Sequence, residues 1–194
     1  METEENRENT GSALEEEYIQ KLEQGSVLLS REGLMDPNFQ LTIIIICAYD
    51  KQGCFGLVCN RPSNMPLTEV FDLPVELGSK SRPIYIGGPV HQNEMFVLQL
   101  SEEEVEDSLE IQKGVYFGGN WESIKEIIDS DPYSTRLFLG YSGWAPGQLE
   151  NEIREKAWEV YRVDIKQFLS DWKEPLFHDI EEMRSYLSSI QKGD

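Results

Sequence analysis

The residue types best suited to chemistry gather between Gly140 and Glu152, in the run Gly-Tyr-Ser-Gly-Trp-Ala-Pro-Gly-Gln-Leu-Glu-Asn-Glu. A serine beside glycines, after an apolar run and before a helical pattern, invites comparison with a nucleophile elbow. That elbow is G-x-S-x-G, and Trp144 stands where its last glycine belongs. Acyl chemistry at Ser142 would also need His91 or His178 as base, oriented by an acid such as Asp164 or Asp171. Nothing in the spacing joins these into a set, so no residue is assigned a catalytic role. A binding site is the better expectation. Pro146 suits the first position of a helix, and Ala145 before it has no side-chain oxygen to cap the first N–H groups. Such a start is satisfied by water, by a tertiary contact in a tight packed corner, or by a bound anion. Gln148 and Glu152 lie one turn apart on that helix; the Glu152 carboxylate is by default a surface charge, with a base or a partner for Arg61 as the functional alternatives.

Two further segments join this candidate site. Asn60-Arg61-Pro62 closes an apolar run, and a guanidinium there can clamp a carboxylate or phosphate in bidentate fashion. Gly87-Gly88-Pro89 makes a sharp bend where backbone can approach a ligand closely. The expected ligand-binding residues are therefore Asn60, Arg61, Gly87, Gly88, Tyr141, Trp144, Gln148 and Glu152, and the expected ligand is a small anion or a protein partner. No metal or cofactor is expected. Cys47, Cys54 and Cys59 match no zinc spacing, and there are only 2 histidines. An odd number of cysteines also argues against a disulfide framework.

Composition limits the classes open to the chain. It has 194 residues and is 39% hydrophobic and 27% charged, enough for one domain with a sizeable core. The formal net charge is −19, which repels phosphate backbones and anionic membranes. The longest apolar run, Leu41–Ala48, is too short to span a bilayer as a helix. The start, METEENREN, has no apolar core of a secretory signal. The chain is read as cytoplasmic.

The elements that must position the site follow from periodicity. Strands are expected at Val27–Leu29, Thr42–Ala48, Cys54–Cys59, Ile84–Ile86, Met95–Leu100, Val115–Phe117, Arg136–Tyr141 and Val160–Val163, with a hairpin turn at Tyr49–Gly53. Ser101–Asp107 reads as a charged loop. Helices are expected from about Leu14 to Leu22, at Leu67–Leu73, after an Asn120 cap, at Pro146–Trp158 and at Asp179–Ile190. Strands and helices do not alternate strictly, so the fold class is α+β with a mixed, mostly antiparallel sheet and flanking helices. The organisation is an acidic extension over 1–24, disordered and then helical, a domain over 25–175, and a C-terminal helix over 176–194 packed on it.

The Gly140–Ile153 run resembles the signature of the YqgE/AlgH family. Gly25-Ser26-Val27-Leu28-Leu29 with Asp36-Pro37-Asn38-Phe39, then Gly53–Pro62, then Gly87-Gly88-Pro89-Val90, occur in that family's order, and Trp158 follows the signature helix. The likeness covers about Gly25 to Trp158 and is poor after about Val163. It implies a sheet curled toward a pseudo-barrel and a bacterial origin. The family carries the label of a transcriptional regulator of alginate synthesis. Ser142 stands where the family usually has alanine. The expected function is a non-catalytic binding or regulatory module. A hydrolase using the Gly140–Glu152 turn and a transcriptional regulator are the alternatives, and direct DNA binding is opposed by the charge.

Overall fold

The computed structural model describes residues 4–65, 83–120, 122, 124, 134–171 and 179–192. The expected helix at Leu67–Leu73 lies outside them, and so does His178. Among the described residues four helices accompany nine strands: α1 (Glu4–Gln20), β1 (Ser26–Ser30), β2 (Ile43–Asp50), β3 (Gly53–Val58), β4 (Ile84–Ile86), β5 (Val90–Leu100), β6 (Ser108–Gln112), β7 (Val115–Gly118), β8 (Thr135–Trp144), α2 (Gln148–Arg154), β9 (Trp158–Arg162), α3 (Ile165–Asp171) and α4 (Ile180–Ser189). The strands form one sheet in the order β6-β7-β5-β8-β3-β2-β1-β9, with β4 added in parallel to β8. The other strand pairings are antiparallel.

β1, most of β2 and β9 are buried on both faces of the sheet, and their alternation shows which residue goes where. Val27, Leu29, Ile43 and Ile45 point to one core, together with Val115 and Phe138 and with Phe168, Leu169, Met183 and Leu187 from α3 and α4. Leu28, Ile44, Ile46, Val58 and Val160 point to a second core, covered by Leu22, Leu149 and Ile153. This is why Ile43–Ile46 is apolar without interruption: a strand covered on both sides has no solvent face to alternate with. The two ends of the sheet meet. The Gln112 side chain on β6 donates to the Val163 carbonyl (3.1 Å) and accepts from the Ile165 N–H (3.0 Å), and Gln24 donates to the Glu110 carbonyl (2.7 Å). The sheet is thus curled toward a pseudo-barrel, with helices on its flanks.

Several elements depart from the sequence expectation. The signature helix spans only Gln148–Arg154, because Gly147 takes a left-handed φ of 76° before it and Lys156 one of 65° after it. Trp158 therefore begins β9, paired to Ser30, instead of ending that helix. Helix α1 begins at Glu4, before the apolar stripe, in a run rich in glutamate, a good helix former. β5 begins at Val90, and its register against β8 slips between Val90 and Met95. β6 and α3 were not expected. Asn120 does accept from the Glu122 N–H (2.9 Å), as a cap would, while most of the helix expected after it lies outside the described residues. At the C-terminus Asp179 caps α4 through the Glu182 N–H (2.8 Å), and Ile180, Met183 and Leu187 are its buried face.

Candidate functional site

The Gly140–Glu152 run is strand before it is turn. β8 continues to Trp144, and the corner is confined to Ala145-Pro146-Gly147. Gly140 has φ 69°, and a Cβ there would lie 2.6 Å from the Gly88 carbonyl oxygen and 2.7 Å from that of Val90. A Cβ on Gly87 would lie 2.3 Å from the Gly140 oxygen, and one on Gly88 2.2 Å from the Tyr141 carbonyl carbon. Two stretches of backbone therefore cross in contact, and glycine is what permits it. The close approach is to β8 itself. Ser142 is fully buried at this crossing, and its hydroxyl donates to the Gly87 carbonyl (3.2 Å). Among the described residues proposed to activate it, His91 stacks on Tyr141 (5.8 Å between centroids, 18°), Asp164 caps α3 through Gln167, and Asp171 accepts from the Tyr186 hydroxyl.

Glu152 and Gln148 tie the corner together. The indole N–H groups of Trp144 and Trp158 both donate to Glu152 Oε2 at 2.9 Å. Gln148 Nε2 donates to Glu152 Oε1 (2.9 Å), and Gln148 Oε1 accepts from the Ala145 N–H (3.0 Å). Gln148 thus reaches back to the chain before the corner, while the helix itself starts at Gly147 with no side-chain cap. Phe39 completes the assembly, edge-on to Trp158 at 5.7 Å and stacked on Trp144 at 6.3 Å.

Asn60 and Arg61 hold the loop that delivers Phe39. Asn60 accepts from the Ile43 N–H (2.9 Å) and donates to the Leu41 carbonyl (2.7 Å). Arg61 donates to the carbonyls of Asn38 (2.7 Å) and Gln40 (3.2 Å), on either side of Phe39. Burial lowers the Arg61 pKa, opposed by Asp36. The candidate residues thus fall into two groups. Asn60 and Arg61 grip the Phe39 loop, whose ring meets Trp144 and the Gln148–Glu152 network. Gly87, Gly88 and Tyr141 form the backbone crossing.

An open cleft of 680 Å³ lies beside both groups. Tyr141 and Trp144 line it; Asn60, Arg61, Gly87, Gly88, Gln148 and Glu152 do not. Its wall is a row of aromatics from four adjacent strands: Phe117 (β7), Phe96 (β5), Tyr141 (β8) and Phe55 (β3). The rings touch one another, with centroids 5.1 Å apart for Phe55–Phe117, 5.5 Å for Phe96–Tyr141, 5.9 Å for Phe96–Phe117 and 6.0 Å for Phe55–Tyr141. All four are only partly buried. Asp50 and Gln52 from the β2–β3 turn form part of the lining. Sequence reasoning missed Phe55, Phe96, Phe117 and Asp50. Each aromatic sits singly in an ordinary strand, and only the strand order brings them together. Among the described residues no group of three or more His, Cys, Asp or Glu side chains is arranged to hold a metal ion.

The AlgH-like family model matches residues 27–185. The chain belongs to the AlgH-like family. The match runs beyond Trp158 into α4, further than the motif resemblance reached. Relatives similar to this AlgH-like chain include a UPF0301 protein of Chlorobium limicola, 32% identical over 89% of this chain and 88% of its own length. Another is a UPF0301 protein of Marinomonas, 34% identical over 81% of this chain and 82% of its own length. The solution structure of the AlgH protein from Pseudomonas aeruginosa superposes with a TM-score of 0.69 at 30% identity, covering 86% of this chain and 87% of that one. A crystal structure of a Corynebacterium diphtheriae protein superposes at 0.59 and 25% identity, over 72% and 75%.

Proposed function

We propose that this AlgH-like chain is a non-catalytic binding module of the cytoplasm, whose ligand is a small molecule that lays a flat apolar portion on the Phe55–Phe96–Phe117–Tyr141 wall. The observation that carries the reading is that wall: four ring systems, none fully buried, face a cleft of 680 Å³. That volume is in the range of small-molecule sites, roughly 300–1,000 Å³. The reading moves the site from the Gly140–Glu152 corner to its neighbour. The corner's polar groups are already paired, Arg61 with the Phe39 loop and Glu152 with two indoles. Burial of the Ser142 hydroxyl supports binding over hydrolysis. The net charge of −19 supports a small ligand over a nucleic acid. Three free, buried thiols are in keeping with a reducing compartment, and no described helix is long and apolar enough to cross a membrane.

The test is a titration of the 15N-labelled chain with indole, followed by amide shifts. Perturbation is expected at Phe55, Phe96, Phe117 and Tyr141, and Phe96→Ala is expected to weaken binding while the rest of the spectrum keeps its dispersion. Shifts confined to other parts of the chain, or a Phe96→Ala variant that binds indole as wild type does, overturn the reading.

A further inference from the structure

Resting on that binding reading, the geometry points to a ligand class: a planar molecule with a positive charge, its ring on the aromatic wall and its charge at Asp50. Among the described residues that line the cleft, Asp50 is the only charged one. Lys51, its neighbour in the turn, does not line it. The remaining lining chemistry is apolar or neutral, with aromatic faces dominant, and ring faces attract cations through their quadrupoles.

An anion would need donors, and the cleft offers few. Cys54, Phe55 and Gly56 of β3 lie opposite Trp144, Gly143 and Ser142 of β8, and the ladder takes up the donors along that shared edge. Val90 is likewise paired with Tyr141. Outside the lining, His91 stacks on the Tyr141 ring, and its Nδ1 lies 2.8 Å from Glu94 Oε1. One Asp50 oxygen, Oδ1, accepts from the Gln52 N–H (2.7 Å) and fixes the carboxylate in the turn. Asparagine at this position keeps an oxygen for that bond and removes only the charge.

The experiment uses three probes of similar shape, titrated by amide shifts and calorimetry at pH 8: N-methylquinolinium (cation), quinoline (neutral) and 2-naphthoate (anion). The expected order of affinity is cation, then neutral, then anion. Asp50→Asn is expected to weaken N-methylquinolinium by roughly two- to fivefold, the range of a solvent-exposed charge pair, and to leave quinoline unchanged. Equal affinity for N-methylquinolinium and quinoline overturns the charge assignment while the aromatic site stands. So does tighter naphthoate binding, or an Asp50→Asn variant with wild-type cation affinity. Failure of all three probes to shift the aromatic wall overturns the binding reading itself, and the ligand class with it.

Discussion

Replacing Glu152 with alanine removes the acceptor for two indoles at once. Trp158 is 1% exposed and Trp144 5%, so solvent cannot readily replace what each N–H loses. An unsatisfied buried donor costs about 1–3 kcal/mol. Glu152 itself is half-buried, and water drawn into the vacated space recovers part of the loss, so a total of about 2–4 kcal/mol is expected. For a chain of this size that corresponds to a fall in Tm of roughly 5–15 °C. Glu152→Gln keeps a carbonyl oxygen for the indoles and loses the charge, at about 1 kcal/mol. Urea unfolding followed by tryptophan fluorescence measures both. A double-mutant cycle with Trp158→Phe isolates the shared bond, because Phe needs no acceptor. In the Glu152→Ala background Trp158→Phe is expected to cost less than in wild type, by about 1 kcal/mol or more. A Glu152→Ala variant within about 0.5 kcal/mol of wild type, or an additive cycle, refutes the account of Glu152 as the tie between the two indoles.

Arg61→Ala is expected to lose about 1–3 kcal/mol by freeing the Phe39 loop, with a matching loss of the near-UV dichroism of the Phe39–Trp144–Trp158 cluster; an unchanged spectrum contradicts the anchoring role. Burial raises the Glu159 carboxyl, but hydrogen bonds from Arg184 and Tyr161 and the charges of Arg184 and Arg31 outweigh it, and the net shift is below the usual carboxylate range. Its contribution is therefore complete above the unfolded value of about 4.3 and is lost as pH falls through the folded one. Glu159→Gln should accordingly flatten the stability–pH curve on the acid side, as read by urea titrations from pH 6 to 2.5. Burial pushes the Cys54 thiol up to about 12, aided by Glu150, and Cys47 and Cys59 are fully buried and raised as well. A thiol reagent at pH 8 should therefore label none of the 3 cysteines in the native chain and all of them in denaturant; fast native labelling would contradict this burial. Gly88→Ala drives a methyl into the Tyr141–Ser142 peptide and is expected to abolish soluble expression, whereas Gly33→Ala, with open space around it, should cost only about 1–2 kcal/mol for its positive φ.

How much was legible in the sequence depended on how local the information was. The β2–β3 hairpin is written in a β-branched run, a two-residue turn and Gly53, all adjacent in the chain. The α4 helix has its cap and its stripe within a dozen residues. The pattern between Gly140 and Glu152 marks a strand-to-helix corner with the strand ending at Tyr141 and Pro146 opening the helix, whereas the strand runs on to Trp144, Pro146 lies in the turn and the helix is only Gln148–Arg154. Nothing local distinguishes the exit at Lys156, a lysine held at positive φ by its surroundings. The α3 helix was missed although Asp164 with Ile165, Phe168 and Leu169 carries a cap and a stripe; seven residues are too few for the pattern to stand out. The site residues divide the same way. Arg61 was singled out for its guanidinium, but its partners are backbone carbonyls some twenty residues earlier in the chain, a tertiary fact. The aromatic wall depends on the order β7-β5-β8-β3, which no stretch of sequence spells out.

The position of β8 has a consequence for how the chain is made. It pairs with β3, with β4 and with β5, all of which precede it. β1 in turn waits for β9. During synthesis the segment Ile43–Cys47 leaves the ribosome long before the strands that complete the sheet around it. For most of translation the nascent chain holds an apolar hairpin with unsatisfied edges, the kind of species that aggregates or engages a chaperone. Long-range pairing of this kind also slows the search for the native topology. Native-like resistance to protease should therefore appear abruptly, in nascent chains stalled at increasing lengths, only once β8 and β9 have both emerged.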